Sequence, residues 1–277
     1  MHKKALTSQP ETAWIFDVDG VVTNNDTRTV VETEILQQII ERLKRKQPVA
    51  LNTGRSLTWT IETVVQPLMN QSEDKRIFDL FFPVCEFGAT WGIIRNGETS
   101  KFIDPDFTPP EFLKIKFKKI ASKYTDSMFY DETKETNITT EIKDGVDYDK
   151  YQEGRKEFDQ EVSELLLEQH LNDEFSLVSA RLGSTIAFKN ANKGLGAKRI
   201  FTLLEQKGIK PKRFITFGDD LNDLEMGEEF HKSGFEVIHV NVGEKNQFSN
   251  VQTNFQIIDT ISSFDKGTLE YLTSFNK

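Results

Sequence analysis

Five short apolar runs, over residues 13–16, 48–51, 79–84, 213–217 and 236–242, each stop abruptly in turn-forming residues. Runs of this length fit strands buried on both faces. Helical patterns lie between them. Thr29 with Glu32 has the spacing of a capping box, followed by Val31, Ile35, Ile39 and Leu43 along one face. Ser56 is placed to cap a second helix that carries Ile61, Val64, Val65 and Leu68, and residues 196–207 form a third pattern with Ile200, Leu203 and Leu204 apolar. Strands alternating with helices predict a doubly wound α/β fold, a parallel sheet covered on both sides.

Between residues 104 and 189 the pattern changes. A helical stretch (Phe112, Ile115, Lys116, Lys119, Ile120) precedes strand-like runs at 127–131 and 137–143. A second (Phe158, Val162, Leu165, Leu166) precedes runs at 175–180 and 185–189, with a hairpin turn expected at 181–184 around Gly183. Helix–strand–strand therefore occurs twice, which predicts an α+β domain of residues 104–189 inserted into a core of residues 1–103 and 190–277. Pro105, Pro109 and Pro110 mark the entry, and residues 190–193 the return. Residues 133–154 are rich in charge and poor in apolar side chains, and read as a solvated loop.

A chain of 277 residues with 37% hydrophobic content has material for one large core or two modest ones. Its net charge of −9 comes from interspersed acids and bases, which argues against a general nucleic-acid binder. A single cysteine, Cys85, rules out an intrachain disulfide and reads as a small buried hydrophobe rather than a nucleophile. The four histidines (His2, His170, His231, His239) lack metal-ligand spacing, and no apolar run approaches the roughly 20 residues of a membrane span. Residues 1–10 are polar and read as a loose lead-in, so a cytoplasmic protein is expected.

Four segments carry candidate chemistry. The first run ends in Asp17-Val18-Asp19-Gly20: two carboxylates at the carboxyl end of a strand, where doubly wound sheets bind ligands, with a glycine that can turn the chain and expose N–H groups to an anion. The alternative is a strand end followed by an Asx-rich turn. Gly218-Asp219-Asp220-Leu221-Asn222-Asp223 places three carboxylates within five positions. They repel unless a cation relieves them, and hard oxygens suit magnesium; a capped helix start is the competing explanation. Thr53-Gly54-Arg55, between a strand and a helix, offers a hydroxyl, backbone N–H groups and a forked guanidinium to phosphate. Lys193, just ahead of the third helical pattern, could neutralise a phosphate and a nucleophile, or simply be solvated.

The order of the four segments resembles the haloacid dehalogenase superfamily of phosphatases, over residues 11–103 and 190–277. The inserted stretch resembles the second cap type, found in the Cof-like, sucrose-phosphate and trehalose-phosphate phosphatase branch. The resemblance implies a magnesium-dependent hydrolysis of a small phosphorylated metabolite, such as a sugar phosphate. Asp17 would be the nucleophile, and Asp19 the general acid and then base, with its backbone carbonyl on magnesium. Thr53 and Lys193 would hold the phosphoryl oxygens, with Gly20, Gly54 and Arg55 beside them; Asp219 would bind magnesium directly and Asp223 directly or through water. Asp220 and Asn222 match positions of varying role. Arg181 and Lys189, on the last hairpin of the insert, are specificity candidates. Where members of that branch often carry Asn-Gly-Ala, this chain has Phe87-Gly88-Ala89, which puts an apolar wall in place of a polar contact. A phosphomutase is the alternative within the superfamily and a non-catalytic phosphometabolite sensor the alternative outside it. Oligomeric state is left open.

Overall fold

The computed structural model describes residues 10–275; the polar lead-in expected over residues 1–10 lies outside them except for Pro10. Twelve strands follow in chain order: β1 (Thr12–Phe16), β2 (Val49–Asn52), β3 (Phe81–Cys85), β4 (Thr90–Arg95), β5 (Glu98–Ile103), β6 (Met128–Tyr130), β7 (Ile138–Ile142), β8 (Phe175–Ala180), β9 (Gly183–Phe188), β10 (Arg213–Gly218), β11 (Glu236–Asn241) and β12 (Gln256–Asp259). The chain divides into two compact units, one made of the stretch ending at Phe102 and the stretch beginning at Asn192, the other of Ile103–Ala191.

The first unit is built on an eight-stranded sheet in the order β12-β11-β10-β1-β2-β3-β4-β5. Strands β12 through β3 are parallel, and β4 turns back antiparallel to β3. The continuous apolar runs follow from two-sided burial. Trp14, Phe16, Leu51, Ile215 and Phe217 pack on one face with Ile35, Ile39, Val64, Leu68 and Leu272 from helices. Ala13, Ile15, Ala50, Phe82 and Phe214 pack on the other with Ile200, Leu203, Met226 and Phe230. Each of these large side chains contributes roughly 1.5–3 kcal/mol when fully buried. Two helix starts differ from expectation. Asn24 accepts the N–H groups of Asp26 and Thr27, and Thr29 is tied back into the same turn, so the predicted Thr29–Glu32 box does not form. The helix begins instead at Glu34, and Val31 is left 52% exposed. The third helical pattern begins at Lys193, not 196, because the Asn192 side chain caps it by accepting the N–H of Leu195.

The second unit is a four-stranded antiparallel sheet, β6-β7-β9-β8, with helices Glu111–Ala121 and Tyr148–Glu168. Its chain order is helix–strand–strand twice. The helix Glu111–Ala121 buries Leu113, Phe117 and Ala121, with Phe117 edge-on to Phe158, while Phe112 and Ile115 are exposed. The expected face, Phe112 with Ile115, is therefore not the buried one: Phe117 packs against Tyr130 and Phe158 and turns the Leu113–Phe117–Ala121 stripe inward. Residues 133–154 are not a loop: they hold β7, with Thr139 and Thr140 buried, and the start of the long helix, capped by Asp147 accepting the N–H of Lys150. The final hairpin closes tightly, with Ala180 paired to Gly183 across Arg181 and Leu182.

Candidate active site

Three of the four motif-bearing segments leave the carboxyl ends of β1, β2 and β10, neighbours in the sheet, and the fourth, at Lys193, opens the helix that precedes β10. After β1, the N–H of Asp17 is donated to the Phe217 carbonyl at 3.0 Å, and the chain then curls around the Val18 carbonyl, which accepts from the N–H groups of Val22 and Thr23 at 2.9 Å. Val18, Val21 and Val22 are fully buried, so the loop is anchored by its apolar positions and presents its polar ones. Gly20 has φ +70, and a Cβ there would fall 2.5 Å from an Asp219 carboxylate oxygen. Only glycine lets the β1 and β10 loops approach so closely.

Lys193, the first residue of its helix, joins three of these elements. Its buried Nζ lies 2.6 Å from Asp17 Oδ1 and 2.7 Å from Asp223 Oδ1, and donates to the Asn52 carbonyl at 2.9 Å. Asn52 answers by donating its side-chain N–H to the Lys193 carbonyl at 2.8 Å. The other Asp223 oxygen accepts the N–H groups of Asp219 and Asp220, both at 3.1 Å, so this carboxylate shapes its own loop while it faces the lysine. The segment is therefore a capped turn and, with Asp17, part of a carboxylate cluster. Oxygens of Asp17, Asp219 and Asp223 lie within 4.8 Å of one another.

Asp19 stands to the side of that cluster. Arg55 grips it with a fork, Nε to Oδ2 at 2.8 Å and Nη2 to Oδ1 at 2.9 Å, and the guanidinium stacks over Trp59 at 4.6 Å. The fork expected to meet phosphate is in this structure on a carboxylate. Buried Thr53 accepts the Arg55 N–H on its hydroxyl at 3.1 Å.

Burial raises the Asp17 carboxyl to about 7 against the lowering influence of Lys193. Burial, with Asp17 and Asp223 adding repulsion, raises Asp219 to about 8. Burial disfavours the charged form of Lys193, but the Asp17 and Asp223 carboxylates outweigh it and hold the ammonium above the ordinary lysine range. One lysine thus leaves a buried carboxylate cluster under-compensated. A donor set of hard oxygens whose proton affinities are raised in this way suits a divalent cation such as magnesium.

Asp17, Lys193, Asp219 and Asp223 come together, Asp19 and Arg55 pair beside them, and Gly20 and Thr53 belong to the same loops. Arg181 and Lys189 lie exposed in the other unit, Arg181 with its guanidinium 5.8 Å from the Tyr148 ring. Sequence reasoning passed over Asn52, which grips Lys193, and Gln247, whose amide donates to the Asp219 carbonyl at 2.8 Å. It also missed Phe264, whose ring would lie 3.2 Å from a Cβ on Gly20. Only Asn52 had a local signal, a polar residue closing a buried strand.

The fold and this cluster define a doubly wound α/β protein with a carboxylate-lined site at the carboxyl ends of its parallel strands. The chain belongs to the haloacid dehalogenase-like hydrolase family, whose model matches residues 93–237, more than half of it. That stretch contains Lys193, Asp219 and Asp223; Asp17, Asp19 and Thr53 precede it. Among solved structures, the chain is similar to the C-terminal domain of Candida albicans trehalose-6-phosphate phosphatase (15% identity, 96% of this chain and 92% of that one, TM-score 0.65). It is also similar to a haloacid dehalogenase-like hydrolase from Bacteroides thetaiotaomicron (13%, 96% and 100%, TM-score 0.63) and to Thermoplasma acidophilum 0175 (15%, 97% and 99%, TM-score 0.59). At these identities the likeness is one of fold. No curated protein matches the chain.

Proposed function

We propose that this hydrolase is a magnesium-dependent phosphatase that releases phosphate from a small phosphorylated metabolite by way of a phosphorylated Asp17. The observation that carries the reading is the meeting of Asp17, Asp219, Asp223 and Lys193 from loops far apart in the chain. Asp17, Asp219, Asp223 and the Asp19 carbonyl are the residues that would hold magnesium; when bound, it supplies positive charge to the carboxylates and to the transferring phosphoryl group.

In the first step an Asp17 oxygen attacks phosphorus, the bond from phosphorus to the ester oxygen breaks, and Asp19 gives that oxygen its proton. In the second, Asp19 takes a proton from water, whose oxygen attacks phosphorus and breaks the bond to Asp17. Lys193 favours the ionised nucleophile and Arg55 aims Asp19, while Thr53, the Gly20 and Gly54 backbones and Lys193 hold phosphoryl oxygens. Such chemistry depends mainly on positioning and charge. A sugar phosphate is the substrate we favour, in keeping with the trehalose-6-phosphate phosphatase among the similar folds. We assign part of the substrate selection to the inserted unit, with Arg181 and Lys189 as its candidates.

A panel of phosphorylated metabolites, with and without magnesium and scored for free phosphate, tests the reading. Asp17→Asn should abolish release while circular dichroism and thermal midpoint stay at parental values. Undiminished release by that variant removes the mechanism, and isomerisation of a hexose phosphate without phosphate release would point to a mutase.

A further inference from the structure

Two consecutive non-glycine residues, Glu86 and Phe87, adopt left-handed backbone angles with φ +47 and +57. A bulky residue is rare there, and such strain persists where surrounding structure holds it. The holding groups are visible. The N–H of Glu86 is donated to the Arg55 carbonyl and that of Phe87 to the Thr53 carbonyl, both at 3.0 Å, so the bend brackets Gly54. From the far side, Arg199 donates to the Gly88 carbonyl and lies 3.9 Å over the Trp91 ring. A Cβ on Gly54 would lie 2.7 Å from Phe87 Cζ, so the tip of the ring rests on the turn between Thr53 and Arg55. Phe87 is nonetheless only half-buried.

We propose that Phe87 is a specificity-determining residue: its ring makes an apolar wall beside the Thr53–Arg55 turn and selects phosphomonoesters whose leaving group presents an aromatic or C–H-rich face. This rests on the phosphatase reading above. The charged neighbours beside that wall are paired with each other. Both oxygens of Asp19 take up the Arg55 fork, and the guanidinium face is stacked on Trp59. Aromatic side chains favour flat hydrocarbon surfaces, and one mismatched group in such a pocket changes selectivity by about 10- to 200-fold.

Phe87→Asn tests this without threatening the fold, because asparagine tolerates the left-handed angles better than phenylalanine. The measured quantity is the ratio of kcat/KM for p-nitrophenyl phosphate to that for acetyl phosphate, with magnesium. The ratio should fall about tenfold in Phe87→Asn and stay within about threefold of the parent in Phe87→Leu, which keeps an apolar wall. Calorimetric binding of phenylphosphonate relative to methylphosphonate should follow the same order. A ratio unchanged in Phe87→Asn, or equal losses in both variants, overturns the inference while leaving the phosphatase reading intact. If the parent hydrolyses neither compound, the phosphonate binding ratio alone decides the inference, and the phosphatase reading stands or falls on the metabolite panel.

Discussion

His239 sits fully buried in β11, its Nδ1 2.9 Å from the Thr216 hydroxyl, with burial lowering its pKa to about 4. The unfolded chain protonates this ring near pH 6.5 and the folded one does not, so protons favour unfolding over that window. Stability is complete above pH 6.5 and declines as pH falls toward 4, by about 2 kcal/mol at pH 5. The raised carboxyls of Asp17 and Asp219 act in the opposite sense: without a cation, the folded state binds their protons first as pH drops through about 8 and 7. Comparing the parent with His239→Gln isolates the histidine. Denaturant unfolding at pH 7 and pH 5 should show a steeper loss for the parent, and parallel losses would refute the assignment. At Phe264 the backbone is again left-handed, φ +60, with its N–H donated to the Val242 carbonyl. Phe264→Gly relieves that strain, worth roughly 1 kcal/mol, yet removes the ring beside Gly20. We expect a net stability loss of no more than about 2 kcal/mol, because lost ring burial outweighs the relieved strain, together with weaker binding of manganese, used as a paramagnetic stand-in for magnesium. A parental manganese affinity would mean that the ring has no part in positioning the loop.

Among elements, the helix Lys193–Gln206 couples backbone packing most directly to the site. It must come close enough to β2 for Lys193 and Asn52 to exchange hydrogen bonds, and Gly196 makes room: a Cβ there would fall 1.9 Å from Asn52 Oδ1. Alanine is ordinarily better than glycine in a helix by about 1 kcal/mol. Here the buried clash should win, and Gly196→Ala should destabilise by about 2 kcal/mol in chemical denaturation. A stabilised variant would show that the helix can shift freely. The same coupling explains what could be read along the chain. β1, β2, β3, β10 and β11 were legible because both faces are packed, which writes itself as unbroken apolar sequence. β5 is nearly all exposed and β12 has four residues without a buried position, so neither leaves a pattern. The motif loops were legible because short polar clusters interrupt buried strands. Gln247 and Phe264 were not, since the groups they meet lie tens to hundreds of residues away, and Asn52 left only the trace of a polar residue closing a buried strand.

At the scale of the molecule, the core unit is discontinuous, its two stretches separated by Ile103–Ala191, and all three tryptophans (Trp14, Trp59, Trp91) belong to its first stretch. Tryptophan emission therefore reports the core alone, while far-ultraviolet circular dichroism reports both units. A cation that binds only the folded carboxylate cluster stabilises the core by mass action, about 2.7 kcal/mol at a concentration 100 times its Kd. For a unit of this size that corresponds to about 5–10 °C. Magnesium should accordingly raise the emission midpoint by about that amount, and the midpoint of Asp219→Ala should not respond. A parental shift retained in Asp219→Ala would place the cation elsewhere. Binding should also release protons at pH 7, because Asp219 and Asp17 must give theirs up to become ligands. Titration calorimetry in buffers of different ionisation enthalpy counts them, and the count should fall as pH rises past about 8, where Asp219 is already ionised. A proton count that does not change with pH would mean that the cation binds without meeting these carboxylates.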